Sequence, residues 1–320
     1  MPRTRGGVRG AVISGWGSAV GNRTVTNHDL EQTLDTSDDW IVERTGISER
    51  QVGGSTAELS MRSGRAALEM SGVDPANIDA LVLSTTTPDR TVPATSATVQ
   101  TGLGLRCGAF DLNAACSGWV YGLVNAHGLV AMGAERILLI GTDTLSRIVD
   151  WSDRNTAVLF GDGSGAVVLE AVEGAGQMLA WDLDADGTAE ELLYADIGGF
   201  VQMSGKEVFR RAVRIMVDSA RKSIALAGID IDDVALVVPH QANKRIIEAA
   251  TKQLGIPLDK SSVVLARTGN TSSASIPLAL VEALDSGRVA PGDIILFVGF
   301  GAGMTAASAV IRWGGGAATS

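Results

Sequence analysis

Two stretches of this chain repeat at nearly one spacing, and that repetition limits its fold more than any other feature. GVDPANIDALVL runs from Gly72 to Leu83 and GIDIDDVALVVP from Gly228 to Pro239, an offset of 156 residues. ERILLIGTD from Glu135 and DIILFVGFG from Asp293 repeat at an offset of 158. Each member of the first pair follows an Ala/Leu-rich helical stretch and ends in a short β-branched run of the kind that makes a strand buried on both faces. A generic βα unit accounts for one match. Two independent pairs at nearly one offset predict an internal duplication, with residues 1–172 and 173–320 forming two βαβ-rich halves of an α/β fold.

The composition supports two packed halves. Hydrophobic residues make up 45% and aromatics 4%, so the core must be built mostly of Ala, Val, Ile and Leu. Periodicity predicts helices over Thr56–Ser71, Cys116–Met132, Glu207–Ala227, Lys244–Leu254 and Ala274–Ser286, and a strand over Ala109–Ala115. Glu173–Gly199 carries the least pattern and reads as the join between the halves.

Several function classes are disfavoured. A net charge of −10 argues against a nucleic-acid partner. Only two cysteines, Cys107 and Cys116, argue against a disulfide framework and fit a reducing compartment. The N-terminus carries Arg3, Arg5 and Arg9, but the stretch after it is too polar for a signal-peptide core. No run approaches the ~18 apolar residues of a membrane helix. The expectation is a soluble, cytoplasmic protein with no membrane partner. No metal-ligand spacing occurs. GWGSAVG (Gly15, Gly17, Gly21) lacks the helix and distal acid of a dinucleotide loop, and FGDGSGA (Phe160–Ala166) lacks the Lys and Ser/Thr of a phosphate loop.

The chemistry centres on AFDLNAACSGWVYGL. Cys116 falls at a strand-to-helix turn, where the positive end of the helix favours a thiolate and free backbone N–H groups can hold an oxyanion. An arbitrary cysteine is more often a small buried hydrophobe, and Cys107, which lacks this context, keeps that reading. A cysteine nucleophile needs partners. Of three histidines, His28 reads as near the start of a surface helix and His127 as inside a helix, whereas His240 ends the strand VALVVP at the strand edge where α/β sites gather. Asn270, in RTGNTSSASIP, sits in a polar turn before a helix. It is either a cap or an amide that donates to a developing enolate. GFGAGMTAAS follows a strand and offers unobstructed N–H groups, with Ala302 or Gly303 suited to complete an oxyanion hole with Cys116.

These residues fall in a recognisable order. TSDDWIVERTGISER, FDLNAACSGWVYGL, DRNTAVLFGDGSGA, VPHQANKRI and GNTSSASIP resemble, over nearly the whole chain, the β-ketoacyl-acyl carrier protein synthase III family of initiating condensing enzymes. The resemblance implies a thiolase-like fold, layered as an α-β-α-β-α sandwich, working as a homodimer. It implies decarboxylative condensation of an acyl-CoA primer with malonyl-acyl carrier protein, with acyl-CoA as a substrate and no cofactor. Cys116 would take the acyl group, His240 and Asn270 would polarise the malonyl thioester, and the N–H groups of Cys116 and Ala302 would hold the oxyanion. Trp40, Arg44 and Arg154 match positions that grip the CoA nucleotide, Asn243 a residue near the pantetheine, and Phe160 one lining the acyl end. Val92 matches a position that reaches into the partner's acyl pocket, where a small residue predicts room for longer or branched primers.

An acidic carrier protein requires a basic patch. Arg245 matches a docking position, and Lys252, Arg210 and Arg214 could extend it, the last two at i, i+4. The segment Gly187–Ser204 is shorter than the family pattern near the site entrance. That keeps open a related condensing enzyme or acyltransferase of secondary (polyketide) metabolism with another acceptor. A catalytically silent subunit of a condensing complex is the distant alternative, disfavoured by the intact Cys116, His240 and Asn270.

Overall fold

A computed structural model describes residues 9–314, so Arg3 and Arg5 lie outside the described residues. Each half builds one mixed sheet. In the first, β1 (Arg9–Val20), β2 (Ala80–Ser84), β3 (Gly108–Leu112), β4 (Arg136–Thr144) and β5 (Asp162–Glu173) lie in the order β1-β5-β4-β2-β3. In the second, β6 (Met178–Asp184), β7 (Val234–Pro239), β8 (Ile294–Gly301) and β9 (Thr305–Arg312) lie in the order β6-β9-β8-β7. Directions match as well. The pairs β1–β5, β5–β4, β6–β9 and β9–β8 are antiparallel, while β4–β2 and β8–β7 are parallel. β3 pairs with β2 in parallel; in the second half its place is reduced to a bridge between Val237 and Ser261. The duplication expected from the sequence is therefore a duplication of topology.

Five main helices cover and separate the sheets: α1 (Thr56–Ser71), α2 (Gly118–Ala131), α3 (Gly205–Ala227), α4 (Lys244–Leu254) and α5 (Ser275–Asp285). Strand side chains alternate between faces, so each buried strand feeds two cores. Ile137 and Leu139 of β4, with Ile295 and Phe297 of β8, meet Trp119 and Leu123 of α2 and Ile276 and Leu280 of α5 in a central core. Leu138 and Ile140 point the other way, toward Ala67 and Leu68 of α1. Leu296 and Val298 likewise meet Val213 and Val217 of α3 and Ile246 of α4. The layers run α-β-α-β-α, with α2 and α5 in the middle.

The repeated Gly-Ile/Val-Asp signal has a local cause. Gly72 and Gly228 end α1 and α3 in the left-handed region, at φ 69° and 65°, where glycine carries no Cβ penalty. Gly15 and Gly17 of GWGSAVG lie in β1, Gly21 just past its end, and they serve contact instead of phosphate binding. A Cβ at Gly17 would fall 2.5 Å from the Ser63 carbonyl oxygen of α1.

Two expectations need correction. The strand expected over Ala109–Ala115 ends at Leu112, and a 3₁₀ turn over Ala115–Ser117 precedes the helix, which starts at Gly118. The Asn113 side chain turns the chain out of the sheet by accepting the Ala115 N–H at 3.1 Å. Glu173–Gly199 is no mere join, because it contains β6, the edge strand of the second sheet. That strand is only partly buried, with Trp181 about half exposed, so its hydrophobic alternation is weak.

Candidate active site

The two central helices begin in the same way. Asn113 Oδ1 accepts the Ala115 N–H at 3.1 Å, and Asn270 Oδ1 accepts the Ser272 N–H at 2.9 Å. Ala115 and Ser272 then take left-handed φ values of 48° and 51°, unusual for residues other than glycine. A 3₁₀ turn follows in each case, Ala115–Ser117 and Ser272–Ala274, before α2 and α5. The offset between these elbows is 157 residues, so Cys116 and Ser273 occupy equivalent positions.

Among the described residues the first elbow opens onto a cavity, whereas Ser273 and Ala274 of the second are fully buried. Cys116, Phe160, His240, Asn270 and Phe300 line a space of about 160 Å³. β8 carries Gly301 against the Cys116 turn, where a Cβ would lie 2.7 Å from the Cys116 backbone nitrogen; a Cβ at Gly299 would meet Ile276 Cδ1 at 3.2 Å and make ordinary contacts with His240 and Cys116. Ala302, the expected second oxyanion donor, follows immediately in the turn Ala302–Met304. Asn270 is held beside Phe160 by its N–H to the Leu159 carbonyl at 2.8 Å and by the Gly161 N–H to its own carbonyl at 3.0 Å. Its Oδ1 is engaged within the turn, which leaves the amide NH₂ as the group available to a ligand.

His240 is 1% exposed, stacks edge-on against Phe300 at 5.3 Å, and pairs Nδ1 with Ser275 Oγ at 2.6 Å. Burial lowers its pKa to about 3, so the ring is neutral at pH 7. When the Ser275 hydroxyl donates to Nδ1, the ring proton sits on Nε2, the tautomer that can donate a hydrogen bond.

The expected helix-favoured thiolate is not the resting state. Burial pushes the Cys116 thiol from 9.0 up to about 12; a Ser272 side-chain hydrogen bond opposes the rise and the Asp143 charge adds to it. At ~1.4 kcal/mol per pKa unit the rise is on the order of 4 kcal/mol. A helix N-terminus supplies up to about 2 kcal/mol, so desolvation wins. Cys107 is half-buried, and its thiol is also raised, by burial first.

The other expected residues divide by place. Trp40, Arg44, Asn243 and Arg245 line a wider mouth of about 660 Å³ that shares Leu159, Met203, Phe209 and Asn243 with the cysteine cavity. Arg44 and Arg154 each place a guanidinium 4.8 Å from the Trp40 ring centroid. Asn243 caps α4 through the Arg245 N–H at 2.9 Å and donates to the Arg44 carbonyl at 2.9 Å, tying the helix to the Trp40 segment. Leu193 and Met203, from the short segment after Gly187, roof the cysteine cavity. Arg210 and Arg214 line a separate groove along α3, paired with Glu207 at 2.6 Å and Asp218 at 3.5 Å. Lys252 lies exposed in the last turn of α4, and Val92 is 82% exposed, outside the cavity of its own chain. His28 is an exposed helix residue paired with Glu31, and His127 is largely buried in α2 with its pKa lowered to about 4 by burial. Sequence reasoning missed Ser272, Ser275, Gly299 and Gly301. Aligning the halves at the 157-residue offset would have flagged Ser272 through Ala115.

A cysteine at the entry of a central helix, sharing one cavity with a histidine and an asparagine from the other half of a duplicated five-layer sandwich, defines a thiolase-fold condensing enzyme. The comparisons narrow the class. Family models described as 3-oxoacyl-[acyl-carrier-protein (ACP)] synthase III match residues 110–187 and, for its C-terminal part, 224–313. The chain is 50% identical to the β-ketoacyl-[acyl-carrier-protein] synthase III of Roseiflexus castenholzii, across 96% of this chain and 99% of that protein. The crystal structure of 3-oxoacyl-[acyl-carrier-protein] synthase III from Aquifex aeolicus superposes with a TM-score of 0.93 at 42% identity, covering 95% of this chain and 100% of the other. The priming β-ketosynthase from the R1128 polyketide biosynthetic pathway superposes at 0.91 with 35% identity, covering 98% of each. The chain belongs to the β-ketoacyl-[acyl-carrier-protein] synthase III family and is an acyltransferase, an initiating condensing enzyme of fatty acid synthesis.

Proposed function

We propose that Cys116 takes the acyl group of an acyl-CoA primer, and that the acyl-enzyme condenses with malonyl-acyl carrier protein to release CO₂ and the 3-oxoacyl product. The observation that carries this reading is the single cavity shared by Cys116, His240, Asn270 and Phe160, continuous with the mouth at Trp40 and Arg44. Attack of the sulfur on the primer thioester builds an oxyanion, for which the N–H groups of Cys116 and Ala302 are the donors; its collapse breaks the bond to CoA, which leaves as the free thiol carrying the proton given up by Cys116. Loss of CO₂ builds negative charge on the malonyl thioester oxygen, for which a neutral His240 Nε2–H and the Asn270 NH₂ are the donors. Two fixed donors act on the transition state without needing a strong base, in keeping with a histidine that burial holds neutral. Trp40, Arg44 and Arg154 grip the CoA nucleotide, Asn243 borders the pantetheine, and Arg245 with Lys252 meets the carrier protein. Arg210 and Arg214 extend that contact only if their carboxylate partners release them.

The protein works as a homodimer in the cytoplasm. Among the described residues the outer edge of strand β3 is unpaired, with Phe110 40% exposed, and Val92 lies 82% exposed on the loop that leads from β2 to the helix Thr95–Gly102, which suits an edge-to-edge pairing that carries Val92 toward the partner's acyl pocket. The two free cysteines suit a reducing compartment. A small Val92 admits branched primers. Competition between isobutyryl-CoA and acetyl-CoA tests this, and a strong acetyl preference counts against it.

Intact-protein mass spectrometry after incubation with a panel of acyl-CoAs, chased with malonyl-acyl carrier protein, tests the whole reading. The expected result is an adduct on Cys116 that the chase discharges with CO₂ release. An adduct that survives this chase favours a second reading, a priming enzyme with a different acceptor, to which the similarity with the polyketide priming ketosynthase lends weight.

A further inference from the structure

The second elbow, at Ser273, is occupied by the protein itself. Asp143 lies near the end of β4, where Gly301 lies in β8 at the 158-residue offset. It is fully buried, and no ion pair forms at it among the described residues. Its carboxylate is held by donors alone. Oδ2 accepts the Ser273 N–H at 3.0 Å and the Ser273 hydroxyl at 2.7 Å. Oδ1 accepts the Thr86 and Thr87 N–H groups at 2.7 and 3.1 Å and the hydroxyls of Thr85, Thr86 and Thr87 at 2.9–3.1 Å. The Ser273 N–H is the counterpart of the Cys116 N–H. A carboxylate oxygen therefore sits in the second elbow where the first would hold the substrate's oxyanion.

This contact reaches the chemistry through two neighbours. Ser272 precedes Ser273 in a left-handed conformation that persists only when its surroundings hold it. Its N–H bonds Asn270 Oδ1 at 2.9 Å. Releasing Ser273 would loosen that contact.

Resting on the reading above for Cys116 and Asn270, we propose that Asp143 is a positioning residue of the condensation: it fills the pseudo-symmetric oxyanion position and so locks the turn that aims Asn270 at the malonyl thioester. An amide cannot replace it. The side chain of Asp143→Asn would turn an NH₂ toward backbone N–H groups on one side or the other, and those groups cannot rotate away.

The test separates the half-reactions in Asp143→Asn and in the milder Ser273→Ala, which keeps the Ser273 N–H bond. Acyl uptake by Cys116 from acetyl-CoA is followed by intact mass, and CO₂ release from malonyl-acyl carrier protein is followed on enzyme already acylated. Asp143→Asn should cut kcat for CO₂ release by about 10²-fold, the cost of one misplaced donor. KM and the acylation rate should stay within roughly threefold of wild type. Ser273→Ala should show the same selectivity at about tenfold. Equal losses in both half-reactions, or unchanged CO₂ release in folded Ser273→Ala, would overturn the proposal, and Ser273→Ala decides alone if Asp143→Asn does not fold. Cys116→Ala is the control for the parent reading. Acyl uptake by that variant would sink the cysteine mechanism, whereas its silence beside an unselective Asp143→Asn removes Asp143 alone.

Discussion

The elbow at Cys116 and the elbow at Ser273 are built on one plan and do different things. Each has an asparagine accepting a backbone N–H two residues on, a left-handed residue, a 3₁₀ turn and a central helix. The strand beside each decides the outcome. Next to Cys116, β8 carries Gly301, and a Cβ there would come 2.7 Å from the cysteine nitrogen. Next to Ser273, β4 carries Asp143, whose carboxylate takes the serine N–H. Duplication supplied two concave sites with donors aimed inward. One is filled from within and stabilises the frame, and the other is left open for a ligand.

The most severe way to break this asymmetry is to move the nucleophile. Cys116→Ala should abolish acyl uptake, by about 10³-fold or more. Adding Ser273→Cys should not restore it, because the second elbow is fully buried and its N–H is taken by Asp143; an adduct at that position by peptide mapping would refute the distinction. The asparagines should separate next. Asn270→Ala should slow CO₂ release by about 10²–10³-fold, as loss of one transition-state donor does. Asn113→Ala should instead lower unfolding free energy by about 1 kcal/mol, because its Oδ1 serves the turn. Urea titration of both variants checks the contrast. Gly301→Ala should slow acylation by about 10²-fold, because the added methyl pushes the Cys116 N–H out of line.

A further contrast concerns protons. His240 has a folded pKa of about 3 and His127 of about 4, both below the unfolded 6.5. Below pH 6.5 the unfolded chain binds protons that the folded chain refuses, so stability is full above 6.5 and falls with pH down toward these folded values. Each ring contributes a slope of up to about 1.4 kcal/mol per pH unit. Urea midpoints between pH 7 and 5 should decline in wild type and decline less in His240→Asn. A midpoint independent of pH would show that the rings are not held neutral. The position equivalent to His240 at the 156-residue offset is Ser84, so this sensitivity belongs to one elbow only.

The parts legible in advance share a property. The spans of α1 and α4 follow from caps and periodicity within a few residues, Ser55 and Gly72 around one and Asn243 and Gly255 around the other. Cys116, His240 and Asn270 stood out because each closes a strand or opens a helix. The protonation of the thiol did not follow from its helix, because desolvation by residues distant in sequence outweighs the local dipole. Strand β6 was hard to see because an edge strand buries too little to alternate cleanly.

By itself, then, the sequence determined the repeated halves, the order of their elements and the family, and singled out Cys116 as the candidate nucleophile, since repeats, caps and motifs are local and survive in one dimension. Which elbow opens was decided only by the tertiary structure. Asp143 meets Ser273 across 130 residues, and Gly301 meets Cys116 from the other half of the chain. Those approaches, together with the burial that holds Cys116 and His240 neutral, exist only once both sheets close on the two central helices.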